Sequence, residues 1–272
     1  MTGVSSYRSV DGLTVAVHGG ELRITLDRPE KRNAINDGMI AGFVDALTVA
    51  ATDDHVRVIV LEGAGDHFCG GADIVARNRD RDARPRAGSI QRRLPTGAHR
   101  LVPLLLEVQV PVVCKVRGWA AGIGFSLALA ADFTIAADDA TFWEPFTERG
   151  FTPDSGATWL LPRRVGVVRA RELLLLGRQL SGTEAAAWGA IHAAVPGAQL
   201  DAAVDELVTR LASGPTVAVG LAKWLLHAGS GIALDQHLAN EAFALELSSR
   251  TDDFREGMAA FRERRAPNFE GH

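Results

Sequence analysis

Residues 112–136 contain the pattern that most constrains the fold of this chain. An apolar run at 112–116 is followed by Gly118, Gly122 and Gly124, and then by small apolar residues up to Ala131. A second short apolar run comes directly after this segment. A strand, a glycine turn, a buried helix and another strand together predict a crossover unit in a largely parallel sheet.

The same alternation of strands and helices extends over the first part of the chain. Gly19-Gly20 separates two segments of alternating polarity, which predicts a hairpin. Periodicity predicts strands at 13–18, 21–26, 56–61 and 133–136 and helices at 37–51 and 98–108.

After about residue 165 the strand signal fades and helical periodicity dominates. The predicted helices are 166–177, 183–189, 200–212, 215–228, 232–248 and 252–264. We therefore expect an α/β core over residues 1–195 and a helical C-terminal region over residues 196–272, which needs a partner surface.

Composition excludes several classes of protein. The 272 residues are 47% hydrophobic and 23% charged, which is typical of a globular protein, and the net charge of −4 argues against nucleic-acid binding. The two cysteines form no disulfide framework or metal-ligand spacing, and Cys69 is predicted to be a small packing residue. With no apolar signal core and no membrane-spanning stretch, a cytoplasmic protein without a membrane partner is the simplest expectation.

Two glycine-rich turns predict a site made of main-chain N–H groups. The turn at 118–124 opens a helix, and the turn Phe68–Asp73 follows another apolar run. Helix N-termini present unpaired N–H groups, so each turn can supply one donor to an oxygen that becomes negative during a reaction. Phe125-Ser126 stands where a phosphate loop needs Lys-Ser/Thr, and the glycine order does not match the dinucleotide fingerprint.

An arginine-rich segment lies between these turns. Residues 77–93 contain seven arginines and two aspartates. This composition predicts a solvated loop that closes over a phosphate-bearing ligand.

Taken together, these motifs resemble the crotonase superfamily, the enoyl-CoA hydratase/isomerase group. The matching stretches are Ile24–Asn36, Phe68–Ile74, Gly118–Asp132 and Glu256–Phe269, in the family's order over nearly the full length. The resemblance implies a spiral of ββα and βαβ units, followed by a helical region that forms a homotrimer or a dimer of trimers. It implies an acyl-CoA thioester as substrate and no separate cofactor, since coenzyme A enters with the substrate.

By the same resemblance, the N–H groups of Ala72 and Ile123 form the oxyanion hole for the thioester oxygen. Ile123 departs from the family's usual glycine, so its side chain must point away from the thioester. Trp143 and Phe146 are expected in the acyl pocket. The residues expected to bind CoA are Arg28, Arg32, Ala34, Gly70, Asp73, Ile74, Phe261 and Arg264, with Arg77, Arg79 or Arg81 at the 3′-phosphate; for Arg264, a charge favoured by the helix dipole is an equal alternative.

Both glutamates of the family's hydratases are missing at the positions that match. Ser126 occupies the first position and Phe146 the second. Glu144 and Glu148 flank the gap and can in principle replace the missing acids, but surface or ion-paired glutamates are the favoured interpretation.

Asp154 stands directly after Pro153, where the segment 150–162 resembles family isomerases that carry an acid. A helix N-cap is the structural alternative. The catalytic role is favoured because the nearby aromatic residues would surround a lone carboxylate with apolar surface, which suits proton shuttling. The segment 185–191 also resembles isomerases of the phenylacetate-degradation type.

The favoured function is therefore double-bond isomerisation of an enoyl-CoA by Asp154. An enoyl-CoA hydratase with displaced acids, a thioester hydrolase and a non-catalytic acyl-CoA-binding subunit remain as alternatives.

Overall fold

The computed structural model describes residues 7–73 and 86–272, and its centre is a six-stranded sheet. The strands lie in the order β1-β2-β3-β4-β6-β9. Their bounds are β1 Leu13–His18, β2 Glu21–Leu26, β3 Val58–Gly63, β4 Val112–Val116, β6 Phe133–Ala137 and β9 Ala193–Val195. Among the described pairs of this sheet, β1–β2 is antiparallel and the other four are parallel, so the predicted hairpin and the predicted largely parallel sheet are both confirmed.

A smaller sheet of three strands packs beside the first. It contains β5 Trp119–Ala121, β7 Thr141–Trp143 and β8 Leu180–Ser181. β5 pairs parallel to β7, which pairs antiparallel to β8. These strands and β9 were not predicted, because segments of two or three residues are too short for periodicity to reveal.

Helices connect and cover the strands. In the first part of the described chain they are α1 Asp37–Ala50, α2 Ser89–Arg93, α3 Leu101–Glu107, α4 Ile123–Ala130, α5 Ala157–Leu175 and α6 Gly182–Ala187. α5 is interrupted at Gly166, whose φ of 78° and ψ of 160° are not helical. Every residue of α4 is buried, as its small apolar composition predicts.

The C-terminal region is helical, as predicted. It contains α7 Leu200–Ala212, α8 Thr216–Ala228, α9 Leu234–Ser248 and α10 Asp252–Glu263. The division at residue 195 stays a prediction, although β9 ends there.

α8 is fixed to the core by a buried ion pair. Lys223 Nζ lies 2.8 Å from Asp132 Oδ2 and also donates a hydrogen bond to the Val110 carbonyl at 3.1 Å. By contrast, α9 and α10 leave large apolar side chains exposed, among them Leu234, Phe243, Leu245 and Phe261. Among the helices of the described ranges, none combines the length and apolar character needed to cross a bilayer.

Candidate active site

The two glycine-rich turns predicted from the sequence pack directly against each other. Cys69 forms a bridge with Ala120, and the Ala121 N–H donates to the Cys69 carbonyl at 2.9 Å. A Cβ on Gly124 would lie 2.6 Å from Cys69 Cβ, so only glycine permits this contact. The close approach that the glycines allow is therefore between the two turns themselves.

This packing places the two expected oxyanion donors in adjoining turns. α4 begins at Ile123, directly after Gly122, whose φ is 54° and ψ −121°. No side chain caps this helix, so no cap occupies the N–H groups of its first turn. The Ala72 bridge to Ile35 uses the N–H of Asp73 and the carbonyl of Gly71 and leaves the Ala72 N–H unused. Neither the Ala72 nor the Ile123 N–H donates to an acceptor in the described part of the chain.

Two side chains beside these donors belong to the core. Ile123 is buried within the main apolar cluster, which keeps its side chain away from the turn surface. Cys69 is fully buried, and burial raises the pKa of its thiol to about 12. The prediction that Cys69 is a packing residue is confirmed, because such a thiol is not ionised near neutral pH.

Asp154 is half-buried just before α5 and does not cap that helix. Gly156 is the N-cap residue and supplies no side-chain hydrogen bond, so the N-cap alternative for Asp154 is wrong. The Asp154 side chain instead accepts a hydrogen bond from Ser155 Oγ at 2.8 Å. Ser155 itself has a φ of 53°, an uncommon conformation for a non-glycine residue, next to the proposed catalytic carboxylate.

Glu144 is the main correction to the sequence analysis. It is 0% exposed, and neither carboxyl oxygen has a hydrogen-bond partner among the described residues. The interpretation of Glu144 as a surface or ion-paired residue is therefore wrong. Burial, and secondarily the nearby Asp154 carboxylate, raise the pKa of Glu144 well above its ordinary value. Asp154 is thus not a solitary carboxylate.

Glu144 follows β7 in a run of buried residues. β7 ends at Trp143, and Glu144, Pro145 and Phe146 after it are all buried. Phe142 packs on Phe125 of α4 with ring centroids 5.0 Å apart. The apolar residues on both sides of Glu144 were the only signal in the sequence, and they do not by themselves fix the direction of its side chain. Glu148, by contrast, is exposed, as expected for a surface glutamate.

The two expected pocket residues occupy different environments. A Cβ on Gly122 would lie 3.8 Å from the Phe146 ring, so Phe146 is next to the turn that presents Ile123. Its ring meets that of Phe151 edge-on at 5.4 Å. Trp143 faces the other way: its indole N–H donates to the Gly177 carbonyl at 2.9 Å, and its ring is 5.8 Å from that of Trp119.

The expected CoA-binding turn at 28–34 is hydrogen-bonded to the glycine-rich turn Phe68–Asp73. Arg28 donates to the Ala34 carbonyl at 2.7 Å and pairs with Asp73 at 3.0 Å, so its guanidinium already has protein partners. The Gly70 N–H donates to the Arg32 carbonyl at 2.7 Å. Arg32 is exposed, with its guanidinium 5.6 Å from the Trp119 ring centre.

The other expected CoA-binding residues lie at the end of α10 or beyond the described residues. Phe261 is 81% exposed, and Arg264 is an exposed C-cap in the left-handed conformation. Ile74, Arg77, Arg79 and Arg81 lie outside the described residues.

A cavity of about 380 Å³ opens beside the residues that follow Asp154. It lies between α3 and the start of α5. Its lining residues are His99, Val102, Pro103, Leu106, Glu107, Ser155, Gly156 and Trp159.

Comparison with known proteins agrees with this architecture. The family model described as enoyl-CoA hydratase/isomerase matches residues 18–272. The chain therefore belongs to the enoyl-CoA hydratase/isomerase family, and the sequence-based recognition of the crotonase superfamily is confirmed.

Individual relatives are named either as isomerases or as hydratases. The 1,2-epoxyphenylacetyl-CoA isomerase of Escherichia coli (strain K12) is 40% identical over 256 residues, 94% of this chain and 97% of that protein. A probable enoyl-CoA hydratase of Rhodobacter capsulatus is 39% identical over 97% of both chains. The first relative supports the predicted resemblance to isomerases of the phenylacetate-degradation type.

Solved structures confirm the fold. The crystal structure of a putative enoyl-CoA hydratase from Streptomyces coelicolor A3(2) has a TM-score of 0.90 at 33% identity. It covers 100% of this chain, and this chain covers 98% of it. The spiral α/β architecture implied by the resemblance is the architecture that the structure has.

Proposed function

We propose that this chain is an enoyl-CoA isomerase in which Asp154 moves a proton between two carbons of the acyl group. The carboxylate takes a proton from C2 of a 3-enoyl thioester, which leaves a dienolate. It then returns the proton to C4, and the double bond moves to C2–C3. The observation that carries this proposal is the half-buried Asp154 carboxylate, held by Ser155 and electrostatically coupled to the buried site around Glu144.

The dienolate oxygen would be stabilised by the N–H groups of Ala72 and Ile123. Both lie in turns that are fixed against each other by main-chain contacts, so the donors need little reorganisation as charge develops. Removal of one such donor typically raises a barrier by about 3–4 kcal/mol.

Coenzyme A would bind along the 28–34 turn, with the thioester directed toward the glycine turns. The exposed ring of Phe261 and the exposed Arg264 suit contact with CoA held by a neighbouring subunit. We propose a homotrimer or a dimer of trimers, because α9 and α10 expose apolar side chains that a subunit interface would cover. A cytoplasmic location also stays a prediction.

Both ring-derived and linear acyl groups are candidate substrates. A 40% identical relative is named for an epoxyphenylacetyl thioester, and the residues near Asp154 include the Phe146–Phe151 pair. Aromatic walls of this kind accommodate flat apolar groups.

The test is proton NMR in D₂O with matched 2-enoyl and 3-enoyl thioesters, linear and aromatic. We expect double-bond migration with deuterium entering at the acyl carbons. In Asp154→Asn the rate should fall by about 10²–10⁴, while acyl-CoA binding changes little. Ser155→Ala is the matched control, because it removes the hydroxyl partner and keeps the carboxylate. Full turnover in Asp154→Asn would contradict the proposal.

Hydration is the second candidate, and Glu144 is the observation that favours it. Water addition needs two carboxyl groups, and Glu144 is a second one coupled to Asp154. Water addition to crotonyl-CoA that disappears in Glu144→Gln would favour the hydratase. Release of free CoA would indicate thioester hydrolysis, and tight binding without any deuterium exchange would indicate a non-catalytic acyl-CoA-binding subunit.

A further inference from the structure

Two buried polar side chains beside the proposed site have no partner in the described part of the protein. They are Ser126, with its hydroxyl oxygen, and Glu144, with both carboxyl oxygens. Both residues are 0% exposed. Buried polar atoms in folded proteins nearly always form hydrogen bonds, so two such groups in neighbouring segments need an explanation.

Main-chain hydrogen bonds place the two side chains on either side of one residue. The Gly122 N–H donates to the carbonyl of Trp143, which precedes Glu144, at 2.9 Å. The Gly122 carbonyl accepts from the Ser126 N–H at 3.0 Å. The contact between Phe142 and Phe125 joins the same two segments through the residues that precede Trp143 and Ser126. Ser126 and Glu144 therefore flank the turn that presents the Ile123 N–H.

The segments that carry this pair are mostly apolar, and the Asp154 carboxylate is the charged group that acts on Glu144. Phe125, Phe142 and Phe146 are buried around the pair, and the Phe146 ring stands against Gly122. Convergent polar groups within apolar surroundings are the usual means by which a site recognises one polar atom on a ligand.

We propose that Glu144 and Ser126 form a polar subsite that hydrogen-bonds an oxygen atom carried by the acyl group of the substrate. This inference rests on the proposed function for the identity of the ligand as an acyl-CoA. It narrows the substrate class to thioesters whose acyl part bears a hydroxyl, carbonyl or epoxide oxygen in addition to the thioester oxygen.

The chemistry of the two groups suits an oxygen acceptor. Burial and Asp154 favour the protonated form of Glu144, and a protonated carboxyl is a hydrogen-bond donor. The Ser126 hydroxyl is a second donor. Neither side chain reaches solvent, so neighbouring side chains must move before an acyl group reaches them. The Phe146 ring beside Gly122 meets the ring of Phe151, which is 41% exposed.

The test compares ligands that differ by one oxygen. Dissociation constants are measured by calorimetry for phenylacetyl-CoA against 2-hydroxyphenylacetyl-CoA, and for butyryl-CoA against acetoacetyl-CoA. We expect the wild-type protein to prefer the oxygenated member of at least one pair by about ten-fold, the range of one or two hydrogen bonds.

Two variants show whether this preference comes from Glu144. Glu144→Leu should remove it, while Glu144→Gln, of the same shape and with an amide donor, should keep most of it. A wild-type preference below three-fold in both pairs, as expected if the two groups only hold a water molecule, overturns the proposal. A preference that survives in Glu144→Leu overturns it as well.

The outcome is separable from that of the proposed function. Deuterium exchange catalysed by Asp154 is measured on the thioesters that lack the extra oxygen. Exchange in the wild-type protein without an oxygen preference would reject the subsite and keep the isomerase. An oxygen preference without exchange on any thioester would reject the isomerase and keep the subsite.

Discussion

Two carboxyl groups lie at opposite ends of α4 and differ in every partner they have. Glu144 is fully buried, and the Asp132 side chain is 15% exposed. Asp132, after the C-terminal end, accepts from the Val112 N–H at 2.8 Å and pairs with Lys223 at 2.8 Å, with His227 3.7 Å away. Glu144, beside the N-terminal turn, has no hydrogen-bond partner in the described ranges. Within residues 7–73 and 86–272, the fold supplies several partners for Asp132 and no hydrogen-bond partner for Glu144.

The pKa values shift in opposite directions for the same reason. Burial raises the pKa of both groups, but at Asp132 the neighbouring His227, the charge and hydrogen bond of Lys223 and the Val112 N–H together outweigh burial, so its pKa is lowered. At Glu144 only the negative charge of Asp154 is added to burial, and its pKa is raised. A satisfied buried acid is part of the structure, whereas an unsatisfied one at a cleft is a candidate for function.

The largest effect is expected where the satisfied pair is broken. Lys223→Met leaves the Asp132 charge buried with only part of its partners, and we expect the free energy of unfolding to fall by about 3–5 kcal/mol. Urea unfolding followed by circular dichroism measures this loss. The double variant Asp132→Asn/Lys223→Met should recover part of the stability, because it removes the unpaired charge. A loss below about 1 kcal/mol in Lys223→Met would mean that the pair does not hold α8 to the core.

A smaller effect, of opposite sign, is expected at Glu144. Glu144→Leu removes two unsatisfied oxygens from the interior, and we expect the free energy of unfolding to rise by about 1–3 kcal/mol. The same urea series gives the value, with Leu61→Ala as the control for a plain core truncation, which should destabilise. If Glu144→Leu destabilised the protein as strongly as Lys223→Met, Glu144 would have to be satisfied like Asp132, and the contrast between the two would not hold.

Sequence reasoning succeeded where a feature is local and failed where it depends on packing. The hairpin at Gly19-Gly20 and the helix after Gly122 follow from turn chemistry, so both were predicted, as was the pairing of two glycine turns. The small sheet of β5, β7 and β8 forms because its short strands meet in space. Strands this short show no periodicity in the sequence, so they could not be predicted from it.

The same distinction explains which site residues were found. Asp154 follows a proline in a recognisable motif, so its position was identified from the sequence. The burial of Glu144 is set by the face that β7 turns toward α4, which is decided by the contact of Phe142 with Phe125. Without the packing of β7 against α4, a carboxylate between Trp143 and Pro145 is interpreted as a surface residue.

The smallest expected effect is the pH dependence of stability, and it separates the two carboxyl groups by sign. The folded-state pKa of Glu144 is raised above its ordinary value of 4.5, so above that pH the folded state keeps a proton that the unfolded state has lost. Its contribution to stability is complete below pH 4.5 and is lost as the pH rises through the folded-state pKa.

For Asp132 the pKa is lowered below its ordinary value of 3.8, so its contribution to stability is present above that pH and is lost as the pH falls through the folded-state pKa.

Urea unfolding between about pH 3 and 9 measures the contributions of both carboxyl groups. Glu144→Gln should flatten the decline on the alkaline side and leave the acid side unchanged, whereas Asp132→Asn should flatten the acid side. The alkaline side is compared for Glu144→Gln alone, because Asp132→Asn also removes the partner of Lys223, whose pKa burial lowers. Since other carboxyl groups titrate in every variant, the difference curve against the wild-type protein isolates each group. A Glu144→Gln curve parallel to the wild-type curve would show that this carboxyl group ionises normally, and the distinction between the two ends of α4 would then rest on hydrogen bonding alone.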